Sequence, residues 1–202
     1  VIVDYGVGNT CSVSNAIRTL GYKKIKISGI EADILAADAL ILPGVGAFEA
    51  CIRSLQQRQL DTVIHEAVLV RKKPILGICV GMQLMATTSE ENGCHRGLDW
   101  IPGQVVKLKL PAQCAVPHVG WNNVRQCRPD ILFSRSSESP NFYFDHSYHF
   151  QCNADFITAE CDSGIAITAA IAKDNIHGVQ FHPEKSQNNG LRLFRGFFNA
   201  IA

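Results

Sequence analysis

The 202-residue chain contains no CxxC pair, no long apolar run and no basic stretch longer than RKK at 71–73. Without CxxC spacing there is neither a zinc ribbon nor a thioredoxin-type motif. The longest apolar run, around 165–172, includes a threonine and is too short to span a bilayer. Lys+Arg number 19 against 18 Asp+Glu, without clustering, so neither nucleic acid nor a membrane is an expected partner. Internal repeats, low-complexity segments and linkers are missing too. What is plentiful is apolar: 47% of residues are hydrophobic and 18% charged, a balance that builds a sizeable core and excludes a disordered chain. The length fits one domain over 1–202. The opening VIVD reads as a strand, not a signal peptide, and the missing initiator Met as a trimmed terminus. Eight spread-out cysteines then fit reduced thiols in a cytoplasmic enzyme.

The first half alternates apolar runs with helical stripes. VIV, YKKIKIS, ADALILPGVG and PILGIC read as strands. Val13, Ala16, Ile17 and Leu20 fall at helical spacing, with Gly21 as a stop. Phe48, Cys51, Ile52 and Leu55 form a second stripe, continued after a break by Leu60 to Val68. GMQLMATTS reads as a further helix. Strands that are apolar throughout are buried on both faces, so the fold class is α/β, a mostly parallel sheet flanked by helices. The second half has short strand-like runs, QVVKLKL, FYFDHSYHF, FITAEC, IAITAAIA and IHGVQFH, expected as antiparallel additions. A terminal helix carries Leu191, Phe194, Phe198 and Ile201 on one face.

GICVG places Cys79 between glycines at the junction of strand and helix. The same layout with serine is a nucleophile elbow. The sharp turn lifts the side chain out of the sheet, small neighbours let strand and helix approach, and the helix start favours thiolate. The Val80 N–H then points where an oxyanion would form. The alternative is a small buried hydrophobe, since free cysteine is often core. In GVQFHPEKS, His182 and Glu184 stand two apart and share a side in extended backbone. A carboxylate there can hold one imidazole nitrogen and leave the other for a thiol; a surface turn with an incidental His and Glu is the competing reading. LPGVGAF supplies glycines whose backbone can aim N–H groups at an anion. It is not a dinucleotide fingerprint, because Glu49 stands where a third glycine is required. His146 and His149 have HxxH spacing with no third ligand, so no metal and no cofactor is expected.

Taken together, these segments resemble the class I, triad-type glutamine amidotransferases over nearly the whole chain. PG-G, GICVGMQ and GVQFHPE carry the class. LPGVGAF, PHVGWN, YFDHSY and HPEKS resemble more closely the branch that feeds ammonia to a (β/α)8-barrel cyclase. The resemblance implies a Cys79–His182–Glu184 triad acting on L-glutamine. It implies an oxyanion site at Gly44, Val45, Gly46 and Val80, and glutamine contacts at Gly46, Gln83, Glu91, Ser147 and Tyr148. It implies a heterodimer interface at Gly8, Asn9, Val119, Trp121, Asn122, Tyr143 and Lys185. The expected product is ammonia, used by the cyclase to form imidazole glycerol phosphate and AICAR in histidine biosynthesis. Asp145 departs from the pattern, which usually has an apolar residue there. It either pairs with a basic group on the partner or, if close, raises the pKa of His146. Similar subunits that serve surface-polysaccharide sugar amidation are the alternative, as is a non-catalytic scaffold of the same fold.

Overall fold

A computed structural model describes residues 1–136 and 138–201. The first half runs β1 (Ile2–Val3), α1 (Thr10–Thr19), β2 (Ile27–Ser28), α2 (Glu31–Ala36), β3 (Leu40–Gly44), α3 (Phe48–Gln57), α4 (Leu60–His65), β4 (Ile75–Cys79) and α5 (Val80–Gln83). Next come the short β5 (Thr88–Ser89) and β6 (His95–Arg96), then β7 (Gly103–Lys107), β8 (His118–Gln126), β9 (Asn141–His146) and β10 (Tyr148–Cys152). The chain closes with β11 (Ile157–Asp162), β12 (Ala166–Lys173), β13 (Ile176–Val179) and α6 (Gln187–Asn199).

Among the described residues the strands make two sheets. The larger has the order β2-β1-β3-β4-β13-β12-β11-β8-β9, and the smaller β10-β7-β5-β6. Every residue of β3 and β4 is buried, as their apolar runs require. They pair in parallel, with Gly44 opposite Cys79. β13 pairs in parallel with the other edge of β4. From β12 outward the pairing is antiparallel. The α/β class therefore stands as read, and the second half is antiparallel apart from two pairings: β13, within IHGVQFH, extends the parallel core beside β4, and β7, within QVVKLKL, runs parallel to β5 in a separate small sheet. Ser147 is the corner where the chain leaves β9 in one sheet for β10 in the other.

Three expectations need correction. YKKIKIS pairs only at Ile27–Ser28. GMQLMATTS is helical only to Gln83, because the next carbonyls are taken elsewhere. Leu84 O accepts from Leu98 N–H (2.7 Å), Met85 O from the N–H groups of Trp100 and Ile101, and Ala86 O from Asp99 N–H. PHVGWN, absent from the strand-like runs, is in fact strand, because His118 to Asn122 begin the nine-residue β8. Its alternation is inverted: His118 points in while Val119 and Trp121 face out. A pattern scan for apolar-in, polar-out strands has nothing to find there.

The contact between β3, β4 and α5 is tight enough to exclude side chains. A Cβ on Gly81 would lie 1.8 Å from Leu42 O, one on Gly77 2.7 Å from Gly81 O, and one on Gly44 2.6 Å from Gly81 N. These obstacles are backbone, so they cannot rotate away. Gly81→Ala is therefore expected to destabilise the fold by about 3 kcal/mol or more, by analogy with strained overpacking. Thermal or urea denaturation checks this, and an unchanged transition would contradict the packing described.

Candidate active site

Cys79 ends β4 and precedes α5 with φ 54° and ψ −113°. A non-glycine residue at positive φ is strained. Here the flanking glycine contacts hold it, and the elbow expected from GICVG is present. The helix behind it has only four residues, so little macrodipole acts on the sulfur. The expected helix-start contribution is small, and the charge around Cys79 comes from side chains.

His182 follows β13 by way of Gln180 and Phe181. Its N–H donates to Tyr143 O at 2.9 Å, and its carbonyl accepts from Ser186 Oγ at 2.6 Å. Both bonds fix the backbone that presents the imidazole. Nδ1 lies 2.9 Å from Glu184 Oε1, and the two side chains are almost wholly buried. Burial alone would lower the imidazole pKa. Hydrogen bonds and charge from Cys79 and Glu184 outweigh it and raise the value to about 10. At neutral pH His182 is thus an imidazolium, with a carboxylate on one side and the Cys79 sulfur on the other. The surface-turn reading of His182 and Glu184 is excluded by their burial.

His182 and Cys79 both reach a pocket of about 390 Å³. Val45, Gly46 and Val80 form one wall. Gly46 has φ +85° in open space, so its backbone alone sets the loop there. Gly44 does not line the pocket; it lies beneath, against Val80 and Gly81. Gln83, Glu91, Ser147 and Tyr148 line the rest, so all the glutamine-contact candidates meet at one place. Glu91 Oε2 accepts from Phe48 N–H at 2.8 Å, which ties the turn after β5 to the start of α3. Gln83 is buried, and its Nε2 donates to both Tyr148 O and Gln180 Oε1 at 3.0 Å.

The interface candidates divide. Val119 and Trp121 on β8 are about half exposed, and Trp121 meets Tyr143 of β9 edge-on at 6.2 Å. Lys185 Nζ sits 5.4 Å from the Tyr143 ring centre, a cation–π contact. Asp145 is exposed opposite Val119. These five share one face beside the pocket, which Asp145 and Lys185 also line. Asn122 does not join them. Its amide donates to Asp162 O at 2.7 Å and to His118 Nε2 at 3.2 Å. Gly8 and Asn9 lie between β1 and α1, with Gly8 against Pro43. Asp145 does not raise His146: burial lowers that imidazole to about 3, only partly offset by its bond to Tyr148 O.

Sequence reasoning missed Gln180, whose Nε2 lies 3.7 Å from Cys79 Sγ. A signal was available, since Gln180 stands two residues before His182 and extended backbone puts such residues on one side. It also missed the buried contact of His118 Nδ1 with His146 Nε2 at 2.9 Å. Nothing in a single sequence marks those two strands as neighbours. Among the described residues no cluster of His, Cys, Asp or Glu could hold a metal ion, and all eight cysteines are unpaired.

A strained cysteine facing an imidazolium–carboxylate pair above a mixed sheet is the constellation of a thiol-dependent acyl-transfer enzyme. The family model for glutamine amidotransferase class-I matches residues 1–201, and the chain belongs to that family. Solved structures share the fold. One described as a glutamine amidotransferase has TM-score 0.76 at 16% identity, covering 100% of this chain and 98% of that one. A glutamine amidotransferase from Thermotoga maritima has TM-score 0.61 at 15% identity, covering 99% of this chain and 82% of that one. Within the family, the chain groups with imidazole glycerol phosphate synthase subunits HisH. It is 45% identical to HisH 2 of Vibrio vulnificus (100% of this chain, 94% of the relative). It is 42% identical to HisH 2 of Pseudomonas aeruginosa (100% and 99%) and 44% to HisH of Moorella thermoacetica (97% and 92%).

Glu184→Gln removes one of the two groups that hold His182 protonated. Its imidazole is expected to titrate at least about one unit lower than in the native protein. Nitrogen-resolved NMR titration reads this directly, and identical titrations would contradict the charge coupling. The sign for stability follows. A folded pKa raised above the unfolded 6.5 makes the His182 contribution complete below about pH 6.5 and lost as pH rises toward about 10. Glu184→Gln should weaken that dependence.

Proposed function

We propose that this chain is the glutaminase subunit of an imidazole glycerol phosphate synthase, hydrolysing L-glutamine to glutamate and ammonia. The observation that carries the reading is the convergence of Cys79 and the Glu184-held His182 with Gln83, Glu91, Ser147 and Tyr148 on one pocket. The Cys79 thiolate attacks the side-chain carboxamide carbon. The tetrahedral oxygen is met by backbone N–H groups of the Val45–Gly46 loop and Val80. His182, protonated and oriented by Glu184, gives its proton to the leaving amine, and ammonia departs. Water deprotonated by His182 then attacks the thioester and releases glutamate, restoring the sulfur and the imidazolium. Glu91, tethered to α3, offers a negative charge to the substrate ammonium.

Free ammonia near neutral pH is mostly protonated and so not nucleophilic, which favours shielded delivery to a partner site. The face of Val119, Trp121, Tyr143 and Lys185 beside the pocket suits a (β/α)8-barrel cyclase in a cytoplasmic heterodimer, with ammonia channelled between them. Trp121 has the character of an interface anchor, a half-exposed aromatic packed on a second aromatic. A second reading rests on Asp145, an exposed acid on this face where the family pattern is apolar. It fits a related barrel partner in surface-polysaccharide sugar amidation, carrying a basic group opposite Asp145. The intact triad disfavours a non-catalytic scaffold.

Co-purification with each barrel partner, followed by glutaminase assays with and without that partner's substrate, separates the two pathways. In the assembled complex Cys79→Ala should lower glutamine hydrolysis by at least about a thousandfold. Retained turnover would remove the assignment. The isolated chain is expected to be slow, because the Gly46 loop is free to be reorganised by the partner, and full activity alone would count against this. Trp121→Ala should weaken partner binding by about 2 kcal/mol, roughly thirtyfold, with Cys79 chemistry intact.

A further inference from the structure

A buried file of side-chain amides ends on the nucleophile, and its direction can be deduced. The anchor is the Tyr148 carbonyl, which can only accept. The Gln83 amide group 3.0 Å away must therefore be its NH2, since its oxygen would face another acceptor. That same nitrogen stands 3.0 Å from the Gln180 amide, so Gln180 must turn its oxygen toward Gln83. Its own NH2 is then left 3.7 Å from Cys79 Sγ. Flipping either amide sets two donors or two acceptors against each other among buried groups: Gln180 is fully buried and Gln83 nearly so. The carbonyl at the head of the file is held in turn. His146 Nδ1–H donates to it at 2.8 Å, which leaves His146 Nε2 to accept from His118 Nδ1–H, and His118 Nε2 to accept from Asn122.

We propose that Gln180 is a thiolate-stabilising residue of this site, its amide N–H aimed at the Cys79 sulfur by Gln83 and the Tyr148 carbonyl. Hydrogen bonds to an ionised acceptor are stronger than those to a neutral one, so a fixed N–H donor favours the charged sulfur. The contribution matters here because α5 is too short to supply a helix field. His182 is also committed to moving a proton during turnover. Gln180 has no proton to transfer and keeps donating through each step, so it can stabilise the sulfur both as attacking and as leaving group. It acts on the reacting atom; Gln83 is a positioning residue that acts through it, besides lining the pocket. The inference rests on the proposed role of Cys79 as the nucleophile.

The test reads the sulfur itself, whether or not glutamine is the substrate. Alkylation of the full-length protein by iodoacetamide is followed from pH 5 to 10 and scored on Cys79 by peptide mass spectrometry, because exposed Cys11, Cys94 and Cys127 also react. In Gln180→Met the Cys79 rate near pH 6 is expected to fall roughly tenfold, and to converge on the native rate at high pH. Gln180→Glu, of the same shape but with an anion in place of the donor, should fall further. A native pH–rate profile in folded Gln180→Met would overturn the proposal, even if its thermal stability drops, since that outcome marks a purely structural residue. Should Gln180→Met not fold, Gln83→Met keeps the donor and frees its direction. It is expected to shift the profile the same way, and a native profile in it would be equally contrary. A shifted profile in a protein without glutaminase activity would leave Gln180 assigned and remove only the substrate.

Discussion

The backbone of Cys79 is the constraint from which the site is built. At a sharp strand-to-helix turn the residue that is lifted out of the sheet carries the backbone strain, and here that residue is the cysteine, at positive φ. The conformation persists because β3, β4 and α5 touch backbone to backbone at Gly44, Gly77 and Gly81. Registering Gly44 against Cys79 also brings the Val45–Gly46 loop to the sulfur. On the other edge of β4, the parallel strand β13 delivers Gln180 and His182 at the same level. Three adjacent strand ends thus supply the glycine loop, the proposed nucleophile, and the proposed donor and base, in keeping with the preference of open α/β sheets for sites at the carboxyl ends of their strands.

Charge is organised as tightly as geometry. The imidazole of His182 is buried, which disfavours its cation, yet the neighbouring carboxylate and sulfur reverse the balance. Among the described residues the nearby imidazoles of His118 and His146 have no carboxylate partner. Burial lowers the pKa of both, leaving neutral rings whose donor and acceptor sides are assigned by Tyr148 O at one end and Asn122 at the other. Rings of one residue type, close together in the fold, therefore serve as a cation and as neutral hydrogen-bond links.

Legibility from the sequence followed the strength of local patterning. Leu40–Gly44 and Ile75–Cys79 announce themselves as buried parallel strands, and the stripe from Phe48 to Leu55 as a helix. The glycine frame of Cys79 and the i, i+2 pair His182–Glu184 are local as well, so the centre of the site could be read from residues and then joined by family resemblance. What could not be read depends on contacts across the fold. The helix after Cys79 stops at Gln83 because residues 98–101 take the next carbonyls. The start of β8 lacks a strand pattern because Val119 and Trp121 face outward while its inward side carries His118, and buried Val124 comes only later in the strand. Gln180 has no chemistry of its own, and only the fold sets it against sulfur.

The central claim is that Cys79 is acylated by glutamine's side chain. Acid-quenching the assembled complex during turnover, then locating the adduct by peptide mass spectrometry, tests it most directly. A glutamyl group on the Cys79 sulfur, appearing and decaying at rates that support turnover, is the predicted result. Steady glutamate and ammonia formation with Cys79 unmodified throughout, or with the adduct on another cysteine, would contradict the account.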